Sequence, residues 1–376
     1  MLYVFNPEHD YALANNGPHF VPLDSAVRFA RECALFLRFL IHADDCIFLP
    51  YHEEMRYMTA DGQPADRPPV DTPVRPWGWD PLVLHQLRAE GFCTESRMDG
   101  HVQRIRELAH RRTASAAMEY LRDTLPAACQ VPLSALEIQT PQEVESFIER
   151  HHDVIFKSPY SGNGRGHLYA HGECSPTLLR QITGVIKRQG SIMAEPMYQI
   201  FQDFAMEFFC HQQRVSFAGY SLFETQHYGY SGNLLQSNLE IEKQILQHIF
   251  IEQLTATRES ILSFLQNRIA PYYEGPLGVD MCLYQHPDGV RLNPMIEINL
   301  RMTMGLAARM LYDRHVHPEA TGVMRIEYRS QGLSDFIQQQ KKEHPWESAD
   351  GRWRSGFRTL TPVGEETQYA VCLWLS

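Results

Sequence analysis

Residues 278–301, GVDMCLYQHPDGVRLNPMIEINLR, predict a β-hairpin that carries acidic side chains. Asp288–Gly289 is a two-residue sequence typical of a tight hairpin turn. If these two residues form the turn, Asp280 lies directly opposite Glu297 on the neighbouring strand. Pro294 has no backbone N–H, and it could add a bulge that shifts this register by one residue. The hairpin therefore predicts two facing carboxylates.

The second strand of this hairpin alternates in polarity. Successive strand side chains point to opposite faces, so Glu297, Asn299 and Arg301 share one face. The opposite face is apolar and is formed by Ile296, Ile298 and Leu300. Buried carboxylates repel each other unless a cation lies between them, and Mg²⁺ prefers a few hard oxygen ligands together with substrate phosphates. The polar face thus predicts a Mg²⁺ site; the alternative is a solvated face balanced by Arg301.

A second stretch, residues 153–167 (DVIFKSPYSGNGRGH), joins a short apolar strand to a glycine-rich loop. Ile155 and Lys157 share one strand face, so the lysine points to the same side as an apolar residue. The lysine precedes the glycines, which excludes a Walker A loop, and a hairpin is expected instead. The alternative is a flexible hairpin with a surface lysine. Backbone N–H groups could bind an anion at the three glycines, Gly162, Gly164 and Gly166.

The first part of the chain predicts an α/β layer. Residues 1–5 (MLYVF) and 45–50 (DCIFLP) have the composition of buried strands. Apolar residues at helical spacing over 24–43 predict one helix between them. Strand, helix and strand in succession favour a parallel sheet. The proline-rich residues 60–80 predict a loop without regular structure.

Together the lysine–glycine stretch and the acidic hairpin resemble the ATP-grasp superfamily of carboxylate–amine ligases. The order of a strand-borne lysine, a glycine-rich hairpin, an acidic hinge strand and a late hairpin ending in E-x-N matches that family. The resemblance covers roughly residues 109–310, and the residues before it look like the α/β domain that usually precedes this fold.

The fold class that follows is α/β, with a parallel-sheet N-terminal domain and a two-subdomain α+β ATP-binding part. The implied units are a pre-ATP-grasp domain, subdomain A with the glycine-rich flap, subdomain B with the metal-binding hairpin, and a C-terminal extension packing on the ATP-grasp domain. Their respective ranges are 1–108, 109–193, 194–320 and 321–376.

The resemblance implies a nucleotide site. Lys157 would contact the α- and β-phosphates, and the loop over residues 161–167 would close on them as a flap. In the hinge strand, Glu195 and the Met197–Tyr198 backbone would contact the adenine edge, and Asp203 would bind the ribose hydroxyls. The implied ATP-binding set is Arg112, Ile155, Lys157, Gly162, Gly164, Arg165, Gly166, Glu195, Met197, Tyr198, Asp203 and Ile296.

The resemblance also implies a metal site and the groups that act in phosphoryl transfer. Arg301 would face the transferred phosphoryl group or the acyl-phosphate, with Lys157 as a second catalytic cation. A further cation is expected early in the ATP-binding part, where Arg111 and Arg112 are candidates and Arg112 is favoured. The implied ligands of Mg²⁺, with Mn²⁺ as the alternative metal, are Asp280, Glu297 and Asn299.

The implied function is an ATP- and Mg²⁺-dependent ligase that forms ADP. A small-molecule acid would be activated as an acyl-phosphate and captured by an amine or a similar nucleophile, giving a C–N bond in most members. A kinase of the same family that phosphorylates a small molecule is the alternative enzyme. A nucleotide-binding sensor or scaffold is the alternative outside catalysis. The complete set of site residues argues against a degenerate site but does not separate a ligase from a kinase.

Two further segments are candidates for substrate binding. Ligands of open α/β sheets collect at the carboxyl ends of strands, which makes the residues after the first strand candidates: Asn6, Glu8, His9 and Asp10. A polar, aromatic loop adds Glu224, His227 and Tyr228. The respective alternatives are a capped turn and a surface loop. The two tryptophans of PWGWD, residues 76–80, are expected to cover a core and to bind no ligand.

Composition sets the class of partner. The 376 residues carry a formal net charge of −11, which argues against a nucleic-acid track. No run of about 18 apolar residues exists, so no membrane span is expected. The eight cysteines form no C-x-x-C pair and indicate a reducing compartment, the cytoplasm. Whether the chain forms a homodimer is left open.

Overall fold

The computed structural model describes residues 1–162, 166–226 and 229–376. These residues form three β-sheets, and helices cover their faces. No helix of the described residues has the length and apolar character that a membrane crossing needs. The helices are α1 His9–Asn15, α2 Asp24–Cys33, α3 Pro81–Ala89, α4 Arg97–Ala109, α5 Arg112–Thr124, α6 Pro141–His151, α7 Pro176–Gln189, α8 Asn238–Ile245, α9 Ile251–Arg268, α10 Met304–His315 and α11 Leu333–Glu343, with 3₁₀ turns at Ala34–Phe39 and Ala127–Cys129.

The first sheet confirms the predicted parallel pairing, because its first strand pairs parallel with both neighbours. The helix predicted over 24–43 ends as an α-helix at Cys33 and continues as a 3₁₀ turn. The proline-rich segment was predicted to lack regular structure and nevertheless supplies an edge strand, in which Pro76 occupies the last position. The strands, in the order β3-β2-β1-β4, are β1 Leu2–Val4, β2 Cys46–Phe48, β3 Tyr57–Thr59 and β4 Val74–Pro76.

The second sheet is small and antiparallel, and it carries the lysine strand at its centre. Helices α6 and α7 pack on one of its faces, and each begins with a proline in its first turn. Ser175 caps α7 by accepting a hydrogen bond from the Leu178 N–H. The strands, in the order β5-β8-β6-β7, are β5 Leu136–Ile138, β6 Asp153–Lys157, β7 Leu168–His171 and β8 Ile192–Pro196.

The third sheet has nine strands and extends to the last residues of the chain. Helices α5, α8 and α9 bury an apolar core against its first strands. In the order β13-β12-β9-β10-β11-β14-β17-β16-β15, its strands are β9 Gln199–His211, β10 Arg214–Gln226, β11 Gly229–Leu235, β12 Gly275–His286, β13 Gly289–Asn299, β14 Gly322–Tyr328, β15 Glu347–Ala349, β16 Arg352–Thr359 and β17 Tyr369–Leu375.

The β12–β13 hairpin pairs Asp280 with Glu297, as predicted, although the residue pairs nearer the turn differ from the predicted register. Its turn lies one residue earlier than predicted, because His286 pairs with Gly289. Farther from the turn, three residues of β13 (294–296) lie opposite the single residue Met281 of β12. This bulge contains Pro294, which cannot donate a hydrogen bond to the sheet. The shift of the turn and the bulge compensate each other, so the carboxylates meet.

Candidate functional site

A cleft separates the small sheet from the large sheet. Its walls come from β6 and β8 on one side and from β9, β12 and β13 on the other, and residues 301–305 contribute where β13 leads into α10. We call this space the cleft. The small sheet supplies a lysine, and the large sheet supplies most of the carboxylates.

The cation of the small sheet is Lys157, at the end of β6. It is 6% exposed, so it is not a surface lysine. Its Nζ lies 2.9 Å from Oε2 of Glu195 on the neighbouring strand β8. Ile155 pairs directly with Glu195 in the sheet, and all three side chains line the cleft. The strand period of two thus places the lysine as predicted.

The hinge between β8 and β9 forms an aromatic wall of the cleft. The rings of Tyr198 and Tyr284 lie 4.5 Å apart between centroids. The Met197 N–H donates to the Asp153 carbonyl at 2.9 Å, so the backbone N–H predicted to contact adenine is already paired. The other predicted residues Asp203 and Ile296 also line this wall.

Gly162 and Gly166 are the described glycines of the glycine-rich loop. A Cβ at Gly162 would lie 2.5 Å from Oδ2 of Asp10, and Gly166 has a φ of +83°, which favours glycine. Gly164 and Arg165 lie outside the described residues. After the loop, His167 lines the cleft and its Nε2 is buried without a hydrogen-bond partner among the described residues. Burial, with Lys157 and Arg111 nearby, lowers the pKa of His167 to about 3, so this ring is neutral.

Asp280 and Glu297 face each other on the floor of the cleft. Burial, then Glu297 and Glu207, raise the pKa of Asp280 to about 8. Burial also raises the pKa of Glu297, although Arg111 opposes the shift. Asn299 Nδ2 donates to Asp280 Oδ2 at 3.0 Å. These facing acids and one amide are hard donors in a site where a divalent cation would relieve the repulsion, so they fit Mg²⁺.

A third acid, Glu207 on β9, was not predicted. It is 1% exposed, and its two oxygens accept hydrogen bonds of 2.8 Å from Ser221 Oγ and Thr303 Oγ1. Burial raises its pKa to about 7 against these hydrogen bonds. A Cβ on Gly305 would collide with this carboxylate. The signal in the sequence is alternation: Asp203 and Glu207 share the face of β9 opposite Phe204, Met206 and Phe208.

Among the described residues, no three or more His, Cys, Asp or Glu side chains form a group that could hold a metal ion. The predicted ligand set is consistent with this, because it contains two carboxylates and one amide. Mg²⁺ usually completes its shell with water and substrate phosphates. The site therefore fits a metal that arrives with a nucleotide better than a permanently bound one.

The second cation of the cleft is Arg111, whereas the sequence favoured Arg112. Arg111 Nη2 lies 2.9 Å from Glu297 Oε2, and its guanidinium also donates to the Ser158 carbonyl and to Ser161. Arg112 points elsewhere: it pairs with Glu137 at 3.0 Å and its side chain is 58% exposed. Consecutive helical residues differ by about 100° in direction, which places these neighbours on different sides of the start of α5.

Arg301 follows β13 and also lines the cleft. Its Nε and Nη2 donate to the two oxygens of Asp10 at 3.3 and 3.0 Å. Burial opposes ionisation of Asp10, yet Arg301 and His9 lower its pKa below the usual value. Asp10 is thus the one predicted substrate residue of the first domain that contacts a group of the cleft.

The other predicted residues of that segment face the interior of the first domain instead. Asn6 donates to the Gly78 carbonyl and to Asp80, and His9 lies 3.3 Å from Asp80. Glu8 accepts a hydrogen bond of 2.5 Å from Tyr51. Burial raises the pKa of Glu8 to about 7, against the hydrogen bond from Tyr51. These side chains stabilise the first domain next to the cleft and do not line the cleft itself.

The loop candidates of the large sheet lie away from the cleft or cannot be placed. Glu224 of β10 is exposed and pairs with Arg325 of β14 at 2.9 Å, across the intervening strand β11. His227 and Tyr228 lie outside the described residues. The neighbour Phe223, whose side chain points to the opposite face, does line the cleft.

No family model and no curated protein matches the sequence. Among solved structures, biotin carboxylase from Campylobacter jejuni in a complex with β-γ-ATP is 12% identical, with a TM-score of 0.48 over 100% of this chain and 87% of that chain. N5-carboxyaminoimidazole synthetase from Staphylococcus aureus complexed with ADP is 13% identical (TM-score 0.46; 73% and 69% covered). D-alanyl-alanine synthetase A from Vibrio cholerae O1 biovar eltor is 10% identical (TM-score 0.43; 83% and 92% covered). At such low identity, function has to be inferred from this chain's own residues.

Proposed function

We propose that this chain is an ATP-grasp enzyme, an ATP- and Mg²⁺-dependent ligase that forms ADP and joins a small-molecule acid to an amine. One observation carries the proposal: a buried lysine on one sheet and a facing pair of half-buried carboxylates on another line the same cleft, beside Arg301. Phosphoryl transfer depends mainly on positioning and on charge neutralisation, and this set of residues supplies both.

The nucleotide would lie between the two sheets. Lys157 would bind the α- and β-phosphates, and the glycine-rich loop would cover them. The adenine would contact the Tyr198 wall, and Asp203 would bind the ribose. His167 would offer its unpaired Nε2 to the same ligand. We retain Ile155, Glu195, Met197 and Ile296 as lining residues, and Arg111 replaces Arg112 as the upstream cation.

The metal would be held by Asp280, Glu297 and Asn299. When bound, Mg²⁺ would neutralise phosphate charge and polarise the transferred group. Arg111 already pairs with Glu297, so it limits the negative charge of this pair before any cation arrives. Arg301 would contact the transferred phosphoryl group from the side of the first domain.

The ligation would proceed in two transfers. An acid carboxylate attacks the γ-phosphate, ADP leaves, and an acyl-phosphate forms. The amine nitrogen then attacks the acyl carbon, the C–O bond to phosphate breaks, and the amine loses a proton. Beyond Arg301 the cleft continues to Glu207, Ser221 and Thr303, which gives polar space for these small substrates. A reducing, ATP-rich compartment such as the cytoplasm fits both the chemistry and the free cysteines.

The domain assignment belongs to the same proposal. We retain a pre-ATP-grasp domain over 1–108, the two ATP-grasp subdomains over 109–193 and 194–320, and a C-terminal extension over 321–376. The residues that would bind ATP and metal all belong to one chain, so a homodimer is not needed to complete the proposed site.

The test is a screen of acid and amine pools for ADP release, with products identified by mass spectrometry. A ligase gives ADP, phosphate and a condensed product only when acid and amine are both present. A phosphorylated product that accumulates without an amine would identify the kinase. Binding of ATP without turnover in any pool would favour the sensor. For variants of the carboxylate pair, the matched control is Asp288→Asn, which lies on the exposed turn of the same hairpin and should keep full activity.

A further inference from the structure

Asp10 connects the first domain to the cleft. It lies on α1, and its carboxylate binds the Arg301 guanidinium through both oxygens, at 3.3 Å to Nε and 3.0 Å to Nη2. Bidentate pairs of this kind fix the direction of a guanidinium as well as its position. The side chains of Arg301 and Asp10 are 16% and 22% exposed, so solvent screens the pair only in part. The direction in which Arg301 points is therefore set by a residue 291 positions away.

The support of Asp10 is itself built into the first domain. Asn6, just before α1, donates to the Gly78 carbonyl and to Asp80, each at 2.8 Å. His9 lies 3.3 Å from the same Asp80, and a Cβ on Gly78 would come within 2.6 Å of the His9 ring. Asn6, His9 and Asp80 are each at most 1% exposed. Helix α1 is thus anchored to the 77–80 loop.

The same loop also binds the backbone next to Arg301. The Trp77 carbonyl accepts a hydrogen bond of 2.8 Å from the Met302 N–H. One segment of the first domain therefore holds the helix that carries Asp10 and the residue that follows Arg301. The arginine is held from two sides, by its side chain and by its backbone.

Without Asp10, Arg301 has other attractive partners. Glu297 and Asp280 both interact favourably with its charge. An unrestrained guanidinium would move towards these acids, where it would compete with a metal ion for them. Asp10 also contacts the start of the glycine loop, because a Cβ on Gly162 would lie 2.5 Å from its Oδ2.

We propose that Asp10 is a positioning residue: it holds Arg301 away from the metal carboxylates and directs it at the transferred phosphoryl group. The inference rests on the proposed function for the role of Arg301, and it gives the first domain a part in phosphoryl transfer. Asp10 itself contacts no reacting atom. It acts through the guanidinium.

The test uses a mimic of phosphoryl transfer and needs no knowledge of the acid or the amine. The dissociation constant of MgADP is measured by calorimetry with and without aluminium fluoride, which occupies the place of the transferred group. Wild-type protein should bind MgADP more tightly when aluminium fluoride is present, and we call this increase in MgADP affinity the gain. Asp10→Asn should leave MgADP affinity within about twofold and reduce the gain from aluminium fluoride by about ten- to a hundredfold, because a misdirected charge loses most of its effect.

The matched control is Asp99→Asn. Asp99 forms a similar bidentate pair with Arg88, at 2.7 and 2.8 Å, on the exposed surface of the same domain. Its loss should leave both affinities unchanged. Arg301→Lys alone should remove the gain, and adding Asp10→Asn to Arg301→Lys should cause no further loss, because both changes remove one function. If Asp10→Asn does not fold, Asp10→Glu keeps the charge, displaces the guanidinium, and should give an intermediate loss.

The outcomes separate this inference from the proposed function. A gain that persists in Asp10→Asn, or that increases, would show that Asp10 does not direct Arg301 and would overturn the inference alone. A lower melting temperature with an intact gain would give Asp10 a purely structural role and would also overturn it. Wild-type protein that binds MgADP without any gain would overturn the ligase proposal and this inference together.

Discussion

The two sides of the cleft balance their charges differently. On the small sheet, Lys157 is already paired with Glu195 at 2.9 Å, and its neighbour His167 is neutral. On the large sheet, burial holds the pKa of Asp280 at about 8 and that of Glu207 at about 7. The lysine of the small sheet has its counter-ion, whereas on the large sheet Arg111 pairs with Glu297 and the carboxyl groups of Asp280 and Glu207 favour their protonated forms. In the proposed function, the large sheet, and not the lysine, would make nucleotide binding depend on a metal.

The largest effect is expected on the carboxylate side. Asp280→Asn keeps the shape of the side chain and removes a charge that the metal needs. We expect ADP release to fall by about a hundredfold or more, since a bound metal ion contributes several kcal/mol to such a reaction. ATP binding should lose its sensitivity to EDTA. The measurements are steady-state ADP release and calorimetry with and without EDTA.

The control for Asp280→Asn is Asp288→Asn, which removes a carboxylate from the exposed turn of the same hairpin. It should leave activity and EDTA sensitivity unchanged. If Asp280→Asn retained near-normal, EDTA-sensitive activity, Asp280 would not be a metal ligand, and the comparison between the two sides would lose its basis.

A smaller effect is expected on the lysine side. Lys157→Met keeps an aliphatic stem and removes the charge that would bind the phosphates. We expect ATP affinity to fall by about 10- to 100-fold, the range of a charge-assisted hydrogen bond. Because the lysine contacts phosphate and not metal, the fall should be similar with Mg²⁺ and with EDTA. Calorimetry under both conditions makes this measurement.

Lys157→Met also leaves Glu195 without its partner, so stability has to be separated from binding. The double substitution Lys157→Met with Glu195→Gln removes both charges and should recover the thermal stability that the single change loses. It should not recover ATP affinity. Recovery of affinity as well would mean that the single change acts through an unpaired Glu195 and that Lys157 does not bind the nucleotide.

The smallest effect is a dependence of stability on pH without ligand. The folded protein retains the Asp280 proton up to about pH 8, whereas an unfolded aspartate loses it near pH 4. At this site the folded state therefore binds one more proton across the window, and the contribution of Asp280 to the free energy of unfolding should fall as pH rises. One such group contributes at most about 1.4 kcal/mol per pH unit. Denaturant unfolding at pH 5, 6, 7 and 8 measures this slope.

Asp280→Asn should reduce that slope, and Asp288→Asn should not. Added Mg²⁺ with ADP should reduce it as well, because a bound cation favours the ionised carboxylates. The Glu207 and Glu8 carboxylates, whose pKa values are both raised to about 7, should leave a residual slope that ends near pH 7. A slope that is the same in wild type and Asp280→Asn would show that Asp280 is ionised in the ligand-free protein, and the two sides would then be electrostatically alike.

The sequence predicted what depends on short segments. The lysine strand and the facing pair Asp280–Glu297 follow from the strand period of two and from one hairpin. The pairing itself was correct only because a shift of the turn and a bulge at Pro294 compensated each other. The parallel pairing of β1 followed from the order of strand, helix and strand.

Features of the site that depend on contacts between distant segments of the chain could not be predicted. Glu207 lies near Asp280 because β9 pairs with β12, some 70 residues later in the chain. Its alternation within β9 was visible in the sequence. The choice between Arg111 and Arg112 depends on where α5 begins, and a difference of one residue reverses it. Asn6 and His9 point into the first domain because their hydrogen-bond partners lie on the 77–80 loop. The sequence predicted only that the tryptophans of this loop cover a core.

One of the hydrophobic cores joins the two ends of the chain. It includes Phe5 and Phe36 from the first domain together with Leu311 of α10 and Val371 and Leu373 of the last strand. Substitutions that loosen this packing would change the position of α1. Because Asp10 lies on α1, they would also change the direction in which Arg301 points. In the proposed function, the sequence changes that either terminus tolerates would therefore be limited by phosphoryl transfer as well as by folding. Homologous domains exchanged between related chains should remain active only when the first strand, α10 and the last strand are inherited together.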